Sequence, residues 1–312
     1  GATPPVLGFP SMTRRLWALA GGAVLVRAVA SLTLVVMAPD GARNLRMARL
    51  IFEGDWKGAF TMFPITHPLY PLLIAGGQAI TGAPLFTACA ISILLGGLAV
   101  IPLYHLAKAA WNERVATIAA VLYIFLPVPV ELQCDAMLEG PFPFFFLTAM
   151  ALAWSSLERK SWERAVLAGV CAGCAWLVRP EGVYLIPLFV LAALLLRSRF
   201  ALVALPAMFA AAFFLATPYQ GFIKSQTGHY GVSASPFSAG ILGLFSGKTE
   251  ATGYVVNEKT SEEFAEYKDI AKYGRVGGPV VTMAKSISKI LFHLLVPFLL
   301  IGLVKLRTQD FK

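Results

Sequence analysis

Four carboxylates beside the ends of apolar blocks are the side chains of this sequence best suited to acid–base chemistry. Asp40 follows the first block, while Glu131, Asp135 and Glu139 surround a short polar turn between two later blocks. A carboxylate at a membrane boundary is costly to desolvate and often marks a functional site. A solvated loop charge or, for Asp40, a helix N-cap is the alternative interpretation. Asp40, Asp135 and Glu139 are the candidate catalytic residues.

Cationic and hydrogen-bonding side chains on the same segments could bind a phosphate or a sugar. Arg179 directly follows an apolar block, where a planar, permanently charged guanidinium suits a phosphate and snorkelling toward lipid headgroups is the alternative. Lys224 and Lys248, in a later polar segment, could assist or could pair with nearby acidic residues. His67 and Tyr70 begin a short apolar segment, and Tyr70 is most simply an interfacial anchor. These five are the candidate substrate-binding residues.

Metal binding is not indicated by any local motif. The sequence contains no Asp-x-Asp pair and no histidine cluster, which favours a metal-independent reaction without a cofactor. A divalent cation would fit only if Asp40 and Asp135 met in space, because hard cations prefer carboxylate oxygens.

Apolar helices must position these candidates. Of the 312 residues, 57% are hydrophobic and 14% charged, with a mean hydropathy of +0.70, whereas an ordinary soluble domain is about 25% charged. The apolar blocks approach the roughly twenty residues that cross a bilayer as a helix. An all-α polytopic membrane protein is therefore predicted. The net charge of +9 is scattered between the blocks, so nucleic acid is not an expected partner.

Eight apolar blocks predict about eight transmembrane helices. They cover residues 16–37, 84–107, 115–130, 140–157, 165–178, 182–196, 200–217 and 281–304. With residues 1–15 in the cytoplasm, the short basic loops and the tail 305–312 also fall on the cytoplasmic side, as the positive-inside rule requires. Pro68–Thr81 is too short to span and is predicted to be an interfacial or re-entrant helix. Segments 38–83, 131–139 and 218–280 then face the other side of one module, 16–304.

Taken in order, these residues resemble the GT-C glycosyltransferases, in particular the branch of the protein O-mannosyltransferases and the lipid A aminoarabinose transferases. The resemblance runs along nearly the whole chain. In the first outer segment it rests on Asp40, Ala48, Gly54 and the stretch from Pro68 onward. In the second, the family's acidic position falls on Asp135 or Glu139.

Three further phrases are typical of that branch. They are Leu177-Val178-Arg179-Pro180-Glu181-Gly182, Thr227-Gly228-His229-Tyr230 and Ser246-Gly247-Lys248. The sequence departs from the family where Gly41 replaces a second acidic residue and where Thr66 and His67 replace an acidic–basic pair. Relatives are commonly longer, so a truncated or minimal member is expected.

The resemblance implies that a sugar moves from a polyprenyl-phosphate donor to an acceptor, with inversion at the sugar C1. Asp40 would be the general base, and Asp135 or Glu139 would orient hydroxyl groups. Arg179, with the lysines of the large outer segment, would stabilise charge on the leaving phosphate. The implied location is a bacterial inner membrane, with the site facing the periplasm and in contact with membrane lipid. The acceptor is left open. A non-catalytic lipid-binding or lipid-moving protein, or an accessory subunit of a membrane complex, is the alternative.

Overall fold

The computed structural model describes residues 14–33, 37–62 and 66–227, and every regular element in those ranges is a helix. The helices before residue 111 are α1 (Arg14–Ser31), α2 (Pro39–Phe52), α3 (Trp56–Met62), α4 (Leu69–Thr81), α5 (Pro84–Leu98) and α6 (Val100–Ala110). Those after it are α7 (Glu113–Phe125), α8 (Pro127–Gln133), α9 (Pro141–Arg159), α10 (Trp162–Val178), α11 (Leu185–Leu196) and α12 (Ala201–Thr227), with a 3₁₀ helix, Pro180–Tyr184, before α11. The all-α prediction is confirmed for the described residues.

Two stretches of the described residues are long and apolar enough to cross a membrane. One is Pro84–Ala110, in which α5 and α6 follow each other through Ala99, and the other is Ala201–Ser225 within α12. Helices α7 and α8 form a third only if they count as one broken span, because they bend by 56° between Phe125 and Pro127. A proline disfavours helical backbone in the residue before it, which explains the break. The predicted count of about eight spans is not confirmed.

The first predicted outer segment, 38–83, is mostly helical. It contains the amphipathic helix α2, the short helix α3, and α4, which confirms the predicted helix at Pro68–Thr81. The backbone of Ala38 is extended because Pro39 follows it, and Pro39 opens α2 at a position that needs no amide hydrogen. Glycine ends α4: Gly82 adopts a positive φ of 66° that a side chain would disfavour.

The predicted apolar block 200–217 ends before the helix that contains it. Helix α12 continues through Pro218 to Thr227. Tyr219 and Ile223 are buried against Leu177 at the end of α10, so tertiary packing carries the helix past the proline. The prediction placed a boundary there from the sequence rule that proline breaks helices. Residues 228–280, the span at 281–304, the tail 305–312 and Lys248 lie outside the described residues.

Small residues let α10 and α12 pack closely. Gly169 and Gly173 lie one turn apart on α10 and face the backbone of α12, near the carbonyl oxygens of Met208 and Ala212. A side chain at Gly169 would overlap the Met208 backbone, so the absence of a side chain there permits the close approach of the two helices. Alanines of α9 and α10 and Phe189 of α11 fill the rest of this core. The close packing fixes the position of the C-terminal end of α10, and Arg179 is the residue that follows it.

Candidate functional site

The turn 134–140 and the start of α2 are tied together by Asp135. Its Oδ2 atom accepts a hydrogen bond from the amide of Ala38 at 2.9 Å, and its Oδ1 atom accepts one from the amide of Ala136 at 2.6 Å. The residue is only 6% exposed. A carboxylate with both oxygens on backbone amides is suited to hold two segments in place. The structure therefore shows Asp135 as a link between the start of α2 and the turn 134–140, which also carries Glu139.

Gly41 allows α2 to approach the same turn. A Cβ atom at this position would lie 3.3 Å from the carbonyl oxygen of Ala136 and 3.0 Å from Cγ of Met37. The amide of Asn44, one turn later, reaches the Ala136 carbonyl at 3.5 Å. The replacement of the family's acidic residue by Gly41 thus coincides with a close contact between α2 and the turn 134–140.

Asp40 is the most accessible of the three candidate carboxylates. Its side chain is 58% exposed and forms an ion pair with Arg43, 3.2 Å away and one turn along α2. It lies in the first turn of α2, where the helix dipole favours a negative charge. Ala38, two residues earlier, is bound by Asp135. Asp40 therefore lies two residues from a backbone amide that Asp135 binds, and its own carboxylate remains largely exposed beside Arg43.

Arg179 lies between two carboxylates. Its Nη1 atom is 2.8 Å from Oε1 of Glu139, and its Nη2 atom is 3.3 Å from Oε1 of Glu181. The ring of Phe142 lies below the guanidinium, with its centroid 5.7 Å from Cζ. One cation between two anions leaves the group net negative, so a phosphate could bind Arg179 only if a carboxylate gave way. Glu181 is a site residue that the sequence analysis missed, although it stands in the same phrase as Arg179.

Proline and glycine set this geometry. Arg179 is extended because Pro180 follows it, which ends α10 and starts the 3₁₀ helix. Gly182 then packs against the backbone of Trp176, where a side chain would not fit. The chain reverses tightly enough for the side chains of Arg179 and Glu181 to meet.

His67 is a buried, neutral imidazole on the same side of the molecule. Its Nδ1 atom lies 2.6 Å from the carbonyl oxygen of Trp176 and must donate, because a carbonyl only accepts. Burial lowers the pKa of His67 to about 4, with Glu181 and Arg179 among its electrostatic neighbours. The Nε2 atom is then an acceptor, and it has no hydrogen-bond partner among the described residues. This form suits a sugar hydroxyl better than a phosphate oxygen, which is itself an acceptor.

The prediction that Tyr70 is an interfacial anchor is wrong. The side chain is fully buried, and its hydroxyl donates to the carbonyl of Ala88 at 2.9 Å. It also lies 3.1 Å from the hydroxyl of Ser92, which donates to the carbonyl of Met137 in the turn 134–140. An anchoring and a buried tyrosine look alike in a sequence. Tyr70 connects α4 to α5 and has no free hydroxyl to offer a ligand.

Lys224 is exposed in the last turn of α12, where the helix dipole favours a basic residue. Tyr219 lies earlier on the same helix, and the centroid of its ring is 5.0 Å from that of the His67 ring. For the ranges that the structure describes, no group of three or more metal-ligating side chains is present.

The contacts above unite four segments, residues 37–44, 66–68, 134–140 and 179–182, which we call the junction. Beside it lies a narrow apolar crevice between α10, α11 and α12. Its walls include Trp176, Gly182, Phe189 and Phe213, so it begins next to Glu181. The junction thus combines an accessible carboxylate, a guanidinium and hydrogen-bond acceptors, and it lies beside this apolar crevice.

Comparison with known proteins gives a family match. The sequence profile of the dolichyl-phosphate-mannose-protein mannosyltransferases matches residues 64–234, more than half of the chain. The match includes the helices α4 to α12 and three of the four junction segments. It confirms the resemblance to the GT-C glycosyltransferases drawn from the sequence.

Curated relatives are bacterial aminoarabinose transferases. Undecaprenyl phosphate-alpha-4-amino-4-deoxy-L-arabinose arabinosyl transferase 1 of Pseudomonas fluorescens (strain Pf-5) is 31% identical over 144 residues, 44% of this chain and 26% of the relative. Transferase 2 of the same strain is 26% identical over 162 residues, 49% of this chain and 28% of the relative. The Pseudomonas aeruginosa LESB58 transferase is 26% identical over 162 residues, 49% of this chain and 29% of the relative. The matches therefore span less than a third of each relative. No solved structure matches significantly.

Proposed function

Since that profile covers more than half of its length, the chain belongs to the dolichyl-phosphate-mannose-protein mannosyltransferase family, and we propose that it transfers a sugar from a polyprenyl-phosphate donor to an acceptor. The apolar helices and the family match make the chain an integral membrane protein. The observation that carries the proposal is the arrangement of the junction. The exposed carboxylate of Asp40 is held beside the turn that presents Glu139 to Arg179.

In the proposed reaction the acceptor hydroxyl oxygen attacks the sugar C1, and the bond between C1 and the phosphate oxygen breaks. Asp40 takes the hydroxyl proton, and the polyprenyl phosphate leaves with the bonding electrons, which inverts the configuration at C1. Geometry supports Asp40 for this role, because a general base must reach the proton that it removes. Asp135 acts by fixing the position of α2, and Glu139 orients a hydroxyl of the sugar or the acceptor.

Arg179 is the proposed cation for the leaving phosphate. Glu139 contacts it at 2.8 Å and is 24% exposed at its side chain, whereas Glu181 contacts it at 3.3 Å and is 41% exposed. Glu181 contacts the guanidinium twice, from Nε to Oε2 and from Nη2 to Oε1, each at 3.3 Å. Because it is the more exposed of the two carboxylates, it is the one that a phosphate displaces. Lys224 and Lys248 are proposed to assist, since charge developing on the phosphate is the feature that catalysis must stabilise.

His67 and the apolar crevice are proposed to bind the rest of the donor. The Nε2 atom of His67 accepts a hydrogen bond from the sugar, and the crevice between α10 and α11 lies along the start of the polyprenyl chain. The excess of carboxylates at the junction favours a sugar with an ammonium group, which agrees with the 4-amino-4-deoxy-L-arabinose named for the relatives. The bacterial inner membrane, with the junction facing the periplasm, is the proposed location, and the reaction is proposed to need no metal.

Bound lipid tests the proposed donor. Protein purified in mild detergent would be extracted and its lipids identified by mass spectrometry, for the wild type and for Arg179→Ala. Lys160→Ala is a matched control, because Lys160 is an exposed cation at the end of α9, away from the junction. We expect a polyprenyl phosphate or its sugar conjugate in the wild type and in the control, and its loss in Arg179→Ala. Bulk phospholipid alone in all three samples would contradict the donor assignment.

A further inference from the structure

Arg27 is a buried cation that the proposed reaction does not use. It lies in α1, and its side chain is completely buried. Among the described residues no carboxylate pairs with it. A charged group within a membrane helix is costly and is usually retained for function. The groups that do contact Arg27 therefore indicate what it does.

The guanidinium binds one side-chain amide and two backbone carbonyls. Its Nε atom donates to Oε1 of Gln133 at 2.6 Å, and its Nη1 atom donates to the carbonyl of Ala23 at 3.0 Å. The ring of Tyr123 lies 4.8 Å from Cζ, and the Tyr123 carbonyl accepts a longer bond of 3.4 Å from Nη2. Three helices, α1, α7 and α8, thus meet at Arg27, on both sides of the 56° bend.

Gln133 carries this contact to the junction. Because Arg27 occupies its Oε1 atom, the Nε2 atom must face the other way, where it donates to the backbone carbonyl of Glu139 at 2.8 Å. The same Nε2 atom donates to the hydroxyl of Tyr123 at 3.1 Å, and that hydroxyl donates to the carbonyl of Gly96. The orientation of the amide is therefore fixed at both ends.

The Gln133 side chain and the turn 134–140 are tightly packed against α5. A side chain on Gly96 would meet the Gln133 amide at 2.8 Å, and one on Gly140 would overlap the backbone of Ser92 in α5. The Ser92 hydroxyl holds the Met137 carbonyl. Glu139 thus has its backbone fixed by Gln133 and its side chain bound to Arg179.

We propose that Arg27 is a positioning residue, which acts through the amide of Gln133 to set the place of Glu139 opposite Arg179. The inference rests on the proposed function for its catalytic consequence and on the hydrogen bonds alone for its structural one. A displacement of about 1 Å at a reacting group can cost about 100-fold in rate, so a residue distant from the substrate can affect turnover strongly.

Gln133→Glu separates positioning from folding. The new carboxylate keeps a partner for Arg27 and satisfies its buried charge, but it cannot donate to the Glu139 carbonyl when ionised. Arg27→Lys is the second variant, because it keeps the charge and loses the planar fork that fixes the amide. Asn112→Asp is the matched control: it makes the same amide-to-carboxylate change at an exposed helix cap, where Asp is equally good.

Two measurements are made on each variant, the hydrogen exchange of the backbone amides in 134–140 and the steady-state transfer of sugar. For Gln133→Glu we expect faster exchange in the turn and a fall in kcat of about 10- to 100-fold, with the donor KM changed far less. Arg27→Lys is expected to show both changes to a smaller extent, and Asn112→Asp neither.

Wild-type exchange in the turn of both variants would overturn the proposal, and so would faster exchange with unchanged kcat. A fall in kcat without any change in exchange would also contradict it, because positioning must move the turn. If the wild type itself transfers no sugar, the proposed function fails. The exchange measurement then still decides whether Arg27 and Gln133 hold the turn.

Discussion

The start of α2 and the turn 134–140 both carry carboxylates, and they hold them in opposite ways. Asp40 is 58% exposed and has one contact at its carboxylate, an ion pair with Arg43. In the turn, Asp135 is 6% exposed with both oxygens on amides, and Glu139 is bound to Arg179. The first segment leaves its carboxylate accessible, whereas the second uses its carboxylates to fix other groups.

This difference supports the separate roles that we propose for Asp40 and Asp135, which residue type alone could not distinguish. A general base must approach a substrate and accept a proton, so it cannot have both oxygens committed to amides. A residue that sets geometry must keep the same contacts throughout the reaction. Asp40 fits the first description, and Asp135 fits the second. The predictions below test this division, beginning with the largest effect.

Asp40→Asn should lower kcat for sugar transfer by about 100- to 10,000-fold, the usual contribution of a general base. Its melting temperature should match that of the wild type, because the side chain is exposed. Steady-state kinetics and thermal melts in detergent measure the two effects. Asp55→Asn is the matched control, because Asp55 is another exposed aspartate and its cap on the amide of Gly58 can be made by Asn. Equal turnover in the two variants would end the distinction between Asp40 and an ordinary surface carboxylate.

Asp135→Ala should destabilise the fold instead. It removes the acceptor of the Ala38 and Ala136 amides, and each buried donor left unpaired costs about 1–3 kcal/mol. The free energy of unfolding, from denaturant titration in detergent, checks this. Asp135→Asn keeps one acceptor oxygen and should lose less. A protein with normal stability and no transfer in both variants would instead place Asp135 in the chemistry beside Asp40.

Stability should depend on pH through His67, which lies beside the turn in the junction. Burial lowers its pKa from 6.5 to about 4, so on acidification the unfolded chain takes up a proton before the folded protein does. The contribution of neutral His67 to the free energy of unfolding is complete above pH 6.5 and is lost as the pH falls toward 4. Between pH 7 and pH 5 the free energy of unfolding should drop by about 2 kcal/mol.

His67→Asn isolates this effect, because Asn keeps a donor for the Trp176 carbonyl and does not titrate. Denaturation at the two pH values should show a smaller drop in the variant than in the wild type. An identical pH dependence would mean that the imidazole is protonated or solvated in the folded protein.

Glu181→Gln should have the smallest effect and the opposite sign. Removing the charge of the more exposed partner of Arg179 makes the guanidinium more available to the donor phosphate. An exposed ion pair is worth up to about 1 kcal/mol, so the donor KM should fall by at most about fivefold. Glu139→Gln should not improve binding, since Glu139 is the partner that stays. A rise in KM for Glu181→Gln would show that Glu181 itself contacts the donor.

The sequence predicted the class of elements well, because length and hydropathy determine which segments are apolar helices. It placed a helix at 68–81, where the structure has α4. It did not predict that the helix over 200–217 continues past Pro218, where buried Tyr219 and Ile223 outweigh the local preference of proline. Local rules describe the backbone conformation that a residue favours, and tertiary contacts decide which conformation it adopts in the fold.

The site was predicted less completely. Residue type and position in the chain gave Asp40, Asp135, Glu139 and Arg179 as candidates. They could not show that Arg179 is bound by Glu181 or that Tyr70 is buried. Arg27 and Gln133 are separated by more than a hundred positions and meet at the end of α8, beyond the 56° bend between α7 and α8. Partners that distant leave no local pattern in one sequence.

The most direct test of the account is transfer by the purified wild-type protein from a polyprenyl-phosphate-linked sugar, with undecaprenyl phosphate aminoarabinose as the first donor. Released polyprenyl phosphate and the anomeric configuration of the product would be measured together. We predict release that requires an acceptor hydroxyl and gives inverted configuration at C1. Donor that stays bound and intact with every acceptor supplied would contradict the account, and it would favour a lipid-binding protein that has kept the family's fold.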